Sequence, residues 1–305
     1  MRDRSVFVVF NPAAGRGRCA RRMESFRTLL RRDLERFEHG ITSGPGEERA
    51  LTERAIHDGY ETIVAVGGDG TWSSVADCIV RSGRPGLKLA LLAGGTGNDF
   101  GKTFGITFER SAEVVRAISE RRTRRIDVGR VGERHFLNIV GIGFDIAVID
   151  DAARFPFLQG DALYQFCALR QLFRFPGITL EVKGEFAPPL SGDHLMVVIA
   201  NARYFGGSFL IAPDADLTDG KLDIIAIRNA GPFERMRLFR KVARGAHRQE
   251  PRVRMARSKS VRISLPRAAS YEIDGEVFAT EDGLLTIDAV PAALDLVVPG
   301  NGAPS

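Results

Sequence analysis

The chain has 305 residues, 44% of them hydrophobic and 27% charged, which allows two domains with separate cores. Its formal net charge of +5 suits a phosphorylated ligand or an anionic membrane surface, and no recognised nucleic-acid motif accompanies the arginines. Cys19, Cys78 and Cys167 lie too far apart for a metal pattern or a disulfide framework, as expected in a reducing cytoplasm, and no apolar run nears the roughly 20 residues that span a bilayer.

In chain order, Val6 to Phe10 is a continuous apolar run and predicts a strand buried on both faces, rather than a signal peptide. The turn Asn11-Pro12-Ala13-Ala14-Gly15 follows, where the Asn11 amide can reach a ligand and Gly15 and Gly17 let the backbone fold around it. A helix with Met23, Phe26 and Leu30 on one stripe comes next, and Thr42 follows a second strand. The strand at Thr62 to Val66 enters Gly67-Gly68-Asp69-Gly70-Thr71, and a helix from Thr71 sets Trp72, Val75, Ala76 and Ile79 on one face. The strand at Leu87 to Leu92 enters Gly94-Gly95-Thr96-Gly97-Asn98-Asp99, and Ala112 to Arg121 reads as another helix. Strand, glycine turn and helix in repetition predict a doubly wound α/β nucleotide-binding domain, with its ligand outside the carboxyl ends of the strands. Two such turns side by side form a phosphate cradle, and their carboxylates can hold the magnesium that accompanies a nucleotide. Packing does not call for Asp69 among three glycines; capping the next helix is its other reading.

From about Asp127 the texture becomes short strand-like runs: 136–149, 179–182, 194–200, 222–227, 261–265, 271–273 and 284–289. These predict an antiparallel β-sandwich domain, interrupted by helices over 161–173 and 232–247. The first helix belongs to an aromatic cluster beginning at Phe155, and its positions 162, 166, 169 and 173 form one stripe. Such a stripe is normally buried core; an acyl-chain pocket or a lid touching membrane is the alternative. The second sets Phe233, Met236, Phe239, Val242 and Ala243 against Arg235, Arg237, Arg240, Lys241 and Arg244, either a solvated basic face or one lying on anionic lipid. Locally, Asp274-Gly275 reads as the centre of a hairpin turn, and Asp216 to Lys221 as oxygen donors around another turn. The tail from 300 to 305 is expected to be disordered.

The two glycine turns, with Asn11 to Gly15, Ile199-Ala200-Asn201, Tyr204-Phe205-Gly206-Gly207, Ala212 to Asp223 and Ile273-Asp274-Gly275-Glu276 in that order, resemble the diacylglycerol-kinase catalytic family, which holds bacterial lipid kinases, sphingosine kinases and ceramide kinases. The Gly-Gly-Asp-Gly tetrad is shared with NAD kinases and phosphofructokinases, so the later motifs carry the lipid reading. The resemblance implies a nucleotide domain over 1–127, a lipid-substrate domain over 128–293, and a return of 294–305 to the first domain. It also implies ATP contacts from Asn11, Pro12, Ala13, Ala14, Gly15, Thr42, Gly67, Gly68, Asp69, Gly70, Thr71 and Thr96, with Asn98 and Asp99 arranging nucleotide and Mg²⁺. Asp127 matches an aspartate linked to the metal through water, and Asp216, Asp219 and Lys221 match a structural Mg²⁺ site, Asp219 through its side chain and the other two through backbone oxygens. Glu276 matches the general base of bacterial diacylglycerol kinases, whereas sphingosine kinases give that role to the aspartate equivalent to Asp69; the choice stays open here. One departure is Trp72-Ser73-Ser74-Val75, where many members carry a polar-acidic stretch facing the acceptor, which puts the identity of the lipid in doubt.

The expectation is therefore an ATP- and Mg²⁺-dependent lipid kinase acting on diacylglycerol or a related lipid, cytoplasmic and peripheral to the inner face of the membrane, with a homodimer as a further expectation. The alternatives are an NAD kinase-like or small-polyol kinase, and a non-catalytic lipid- or nucleotide-binding regulator.

Overall fold

A computed structural model describes residues 6–155, 161–207 and 209–300; the expected tail beyond 300 and residues 156–158 of the aromatic cluster lie outside these. The first elements are β1 (Val6–Phe10), α1 (Ala14–Asp33), β2 (Glu38–Ile41), α2 (Glu47–His57), β3 (Thr62–Gly67), α3 (Asp69–Arg81), β4 (Lys88–Ala93), α4 (Asp99–Lys102) and α5 (Ser111–Ser119). β1 pairs in parallel with β2 and β3, and β3 with β4, so the carboxyl ends of β1, β3 and β4 lie side by side. Burial of Val8, Val9, Phe10, Val64, Ala65, Leu91 and Leu92 beneath helices on both faces explains their continuous apolar runs.

The second set comprises β5 (Thr123–Val131), β6 (Arg134–Phe136), β7 (Ile139–Gly143), α6 (Phe144–Ala153), α7 (Asp161–Arg174), β8 (Ile178–Gly184), β9 (Phe186–Ala200), β10 (Tyr204–Phe205), β11 (Phe209–Leu210), β12 (Leu222–Arg228), α8 (Pro232–Val242), β13 (Val253–Ser258), β14 (Ser260–Ser264), β15 (Ser270–Ile273), β16 (Glu276–Ala279) and β17 (Leu284–Val297). All ladders among these strands are antiparallel. Along β9 the side chains alternate: Val197 and Ile199 enter one apolar cluster, while Met196, Val198 and Ala200 enter another beneath α6, α7 and α8. The chain is thus an α/β domain followed by a β-rich one. The end of β17 runs beside both: Asp295 and Leu296 pair in parallel with β4, and residues 294–297 pair antiparallel with β5.

Several elements differ from the sequence expectation. The run 136–149 is not one strand: Gly143 at φ 109° ends β7, and α6 begins at Phe144. Phe144, Val148 and Ala152, four residues apart, are the side chains by which α6 joins the apolar cluster beneath it, which is a helical period. α8 stops at Val242, and Arg235 is turned inward, away from the expected basic face. Its guanidinium donates to the carbonyls of Leu172 and Phe175, both at 2.8 Å, which places a cation at the C-terminal end of α7. The stripe on α7 is corrected too: Phe166, Leu169 and Phe173 are exposed, because α7 turns its Cys167 and Leu172 to the core.

Asp77 joins the two halves of the chain. It accepts from Arg49 on α2 at 2.8 Å and from the His135 backbone on β6 at 2.9 Å. Burial alone would raise its carboxyl, but the hydrogen bonds from His135 and Arg49 outweigh this and hold it at about 2. A depressed folded pKa stabilises above the unfolded value near 3.9, and that stabilisation is lost as pH falls through about 2. Asp77→Ala should therefore lose about 2–3 kcal/mol in urea unfolding at pH 7, with the gap to wild type narrowing between about pH 4 and 2; a gap independent of pH would remove this role.

Candidate active site

Three loop segments meet above the carboxyl ends of β1, β3 and β4. The Gly94 and Gly95 N–H groups donate to the Gly67 carbonyl at 2.8 and 3.0 Å, and Asn11 N–H donates to Val66 at 2.9 Å. The backbones pack so closely that a Cβ on Gly95 would lie 2.6 Å from Gly68 Cα, and one on Gly15 would lie 2.9 Å from the Gly94 carbonyl oxygen. Gly15 also sits at φ +60°, which a side chain disfavours. These glycines serve loop-on-loop packing. A Cβ on Gly70, by contrast, would meet no atom of another element within 4 Å among the described residues.

Gly70 is the second residue of α3, whose intrahelical bonding begins with Trp72 N–H to Gly68 O at 3.0 Å. The preceding N–H groups have no partner within the helix, and Gly68 supplies no side-chain cap. With the helix dipole, this end is suited to an anion such as a phosphate. Asn11 Nδ2 donates to Thr71 Oγ1 at 2.9 Å and its Oδ1 accepts from Ala13 N–H at 3.1 Å, so Pro12, Ala13 and Ala14 are held over the same end. Thr42 N–H donates to Phe10 O at 2.9 Å beside them, and Thr96 is exposed at the rim.

Two carboxylates close the site. Asp69 Oδ1 accepts from Phe100 N–H at 3.1 Å, and a Cβ on Gly97 would meet both Asp69 Oδ2 at 3.1 Å and Asp99 Oδ2 at 3.8 Å. Burial, then the charge of Asp99, pushes the Asp69 carboxyl up to about 6 against its hydrogen bonds from Phe100 and Asp99 N–H. Asp99 is answered by Lys102 at 2.6 Å and by Gly207 N–H at 2.6 Å. Asn98, at φ 49°, leaves its buried Oδ1 without a hydrogen-bond partner among the described residues. Like charges side by side, with an orphaned amide oxygen close by, form a donor set that fits a hard divalent cation.

The second domain reaches in through residues far away in sequence. Gly207, at φ +87°, brings its N–H to Asp99 across 108 residues. Asp274 and Gly275, at φ 47° and 90°, form the two-residue hairpin turn between β15 and β16, as the Asp-Gly pair predicted. The turn has a second task that sequence reading missed: the Asp274 carboxylate accepts from Leu137, Asn138 and Ile139 N–H at 2.9, 3.0 and 2.9 Å. Its charge also acts on Asp69. Glu276, two residues on, is half exposed and paired with Arg134 at 2.7 Å.

The remaining candidates lie elsewhere. Asp127 is buried, with one oxygen accepting from Gly220 N–H and the other from Ala292 N–H, both at 2.7 Å, so it ties the 216–221 turn to β17. Asp216 and Asp219 accept from Thr218 and Lys221 N–H at 3.0 and 2.9 Å, and Lys221 is exposed. Among the described residues no group of three or more His, Cys, Asp or Glu side chains is placed to hold a metal. Any ion at that turn would depend on backbone oxygens.

Comparison with known proteins identifies the two domains. Residues 5–131 match the model of the diacylglycerol kinase catalytic domain, and residues 138–298 match the YegS C-terminal NAD kinase beta sandwich-like domain. A Mycobacterium tuberculosis protein named diacylglycerol kinase is 28% identical across 97% of this chain and 96% of its own. A Pseudomonas aeruginosa protein named "Probable lipid kinase YegS-like" is 30% identical across 99% of this chain and 96% of its own. A Bacillus anthracis crystal structure described as a diacylglycerol kinase superposes with a TM-score of 0.74, covering 98% of each chain at 19% identity, which supports the fold. With both domains matched in order and full-length relatives on either side of the name, the chain belongs to the family of diacylglycerol kinases and YegS-like lipid kinases, and is a kinase.

Proposed function

We propose that this kinase transfers the γ-phosphate of ATP, with Mg²⁺, to a hydroxyl of diacylglycerol or a related membrane lipid. The observation that carries the reading is the pair of Asp69 and Asp99 carboxylates beside the uncapped N-terminus of α3, where burial and the Asp99 charge push the Asp69 carboxyl up to about 6. The α3 N–H groups and the Asn11 to Gly15 turn would cradle the phosphates. Asp99 and Asn98 would hold the cation, whose chemistry is to neutralise charge on the transferring group. A carboxylate with a pKa near neutrality can take the proton of the attacking hydroxyl, which favours Asp69 as base. Glu276, engaged with Arg134, then orients the acceptor side of the site.

Surface chemistry supports a lipid acceptor. Phe166, Leu169 and Phe173 on α7 and Phe233 on α8 are 43%, 53%, 54% and 80% exposed, with Phe173 and Phe233 rings 6.5 Å apart. Arg174, Arg237 and Arg240 stand exposed near them in sequence. Aromatic side chains with basic neighbours suit insertion into an anionic bilayer face. No described helix is long and apolar enough to cross a membrane.

The test compares vesicle-borne diacylglycerol with a water-soluble short-chain analogue. Phe173→Ser with Phe233→Ser should lower the vesicle rate at least about tenfold and spare the short-chain rate. Equal loss on both would place the pair in the fold. If the patch instead joins two copies of the chain, sedimentation changes and the vesicle rate does not. Separately, Asp219→Ala should lower the melting temperature in Mg²⁺ more than in chelator, leaving nucleotide affinity within about twofold; equal melting in both would leave the 216–221 turn without a metal role.

A further inference from the structure

Four arginines from distant parts of the chain line one open cleft that the phosphate cradle does not use. The cleft measures about 1220 Å³ and takes Arg124 from the start of β5, Arg203 from just before β10, Arg248 from beyond α8, and Arg257 from β13. None of Asn11 to Gly15, Thr42, Gly67 to Thr71 or Thr96 to Asp99 lines it. It begins where α4 ends, at Thr103 and Phe104, whereas Asp99 at the other end of α4 belongs to the candidate active site.

The guanidinium groups are unequally satisfied. Arg257 donates to Asp223 at 3.0 Å, and Arg248 pairs with Asp214. Arg124 stands 3.9 Å from Asp216, beyond hydrogen-bond distance. Arg203 is half-buried, and among the described residues only its Nε has a partner, the Ala215 carbonyl at 3.3 Å. Its two terminal NH₂ groups remain available. A partly desolvated guanidinium fork without an acceptor is suited to a tetrahedral oxyanion, which several arginines can share. Phe104, Leu217 and Met255 line the same space, and its volume exceeds what a bare phosphate fills.

We propose that this cleft binds a phosphomonoester anion, either the headgroup of an amphiphile or a soluble phosphate, with Arg203 and Arg124 as its principal donors. The site would communicate with the rest of the protein through both walls. Phe104 continues from α4, and Leu217 accepts from Asp127 N–H at 2.6 Å.

The test is calorimetric titration of the full chain with a non-hydrolysable ATP analogue in excess, so that the phosphate cradle is filled. The probes are dihexanoyl phosphatidic acid, inorganic phosphate and uncharged dihexanoylglycerol. Dihexanoyl phosphatidic acid should bind, and Arg203→Met should weaken it at least about tenfold, with Arg203→Lys intermediate because the planar fork is lost. Arg124→Met, at an exposed position, should weaken it in the same direction and decides the matter if Arg203→Met does not fold. Dihexanoylglycerol should show no dependence on either arginine. If inorganic phosphate binds as tightly with the same dependence, the soluble anion is the ligand; if only the phosphatidic acid binds, the amphiphile is. Binding of neither phosphate probe, or binding that both Met variants leave unchanged, would overturn the proposal. The analogue titration is read separately, so failure of nucleotide binding does not mask the arginine dependence.

Discussion

Asp69→Asn is expected to reduce turnover by about 10²–10⁴-fold while raising thermal stability at pH 8. Both effects come from one cause. Burial and the neighbouring Asp99 push the Asp69 carboxyl up to about 6, so its ionised form, which the chemistry needs, is the form that the fold disfavours. A folded pKa above the unfolded value near 3.9 stabilises at low pH, and that contribution is lost as pH rises through about 6. The variant should thus melt above wild type at pH 8 and converge with it near pH 4. Phe100 N–H can still donate to the Asn oxygen, so the loop geometry is kept. In wild type, kcat/KM should fall below about pH 6, because that ratio reports the free enzyme. A variant with near-normal turnover, or one less stable at pH 8, would contradict this role.

Asp274→Ala should cost about 3–5 kcal/mol of unfolding free energy and most of the activity. The carboxylate accepts three successive backbone N–H groups, from Leu137, Asn138 and Ile139, and each buried donor left without a partner costs roughly 1–3 kcal/mol. The residue also sits at φ 47°, which Asp tolerates better than Ala. Asp274→Gly removes that strain and leaves the three donors unmet, and Asp274→Asn keeps Oδ1 for Asn138 and Ile139, so stability should rank Asp, Asn, Gly, Ala. Against a typical total of about 5–15 kcal/mol the Ala variant would be marginal. Equal urea midpoints for Asp and Ala would show that the hairpin needs no such anchor.

What could be read in the sequence follows from how local each signal is. The parallel strands and their glycine turns were legible because burial on both faces writes a continuous apolar run, and a helix restarts the 3.6 period straight after each turn. β5 and β13 were not, since Arg124, Arg125, Arg130, Arg254 and Arg257 interrupt their apolar residues and their strand form depends on ladders with β17 and β12. The exposed stripe on α7 is identical in sequence to a core stripe; only the neighbours decide which face is covered. For the site, Asp69 and the cradle turns stand out locally. The ties that assemble it do not: Gly207 to Asp99 spans 108 residues, and Asp127 to Ala292 spans 165. Both use backbone N–H groups, which carry no residue signature.

The most direct measurement is transfer of label from γ-³²P-ATP to diacylglycerol, monoacylglycerol, phosphatidylglycerol, sphingosine and ceramide in mixed micelles, with NAD in solution, each with Mg²⁺ or with chelator. The account predicts a labelled lipid in the organic phase that requires Mg²⁺ and disappears with Asp69→Asn. Label on NAD alone, or nucleotide binding with no transfer to any acceptor, would contradict it.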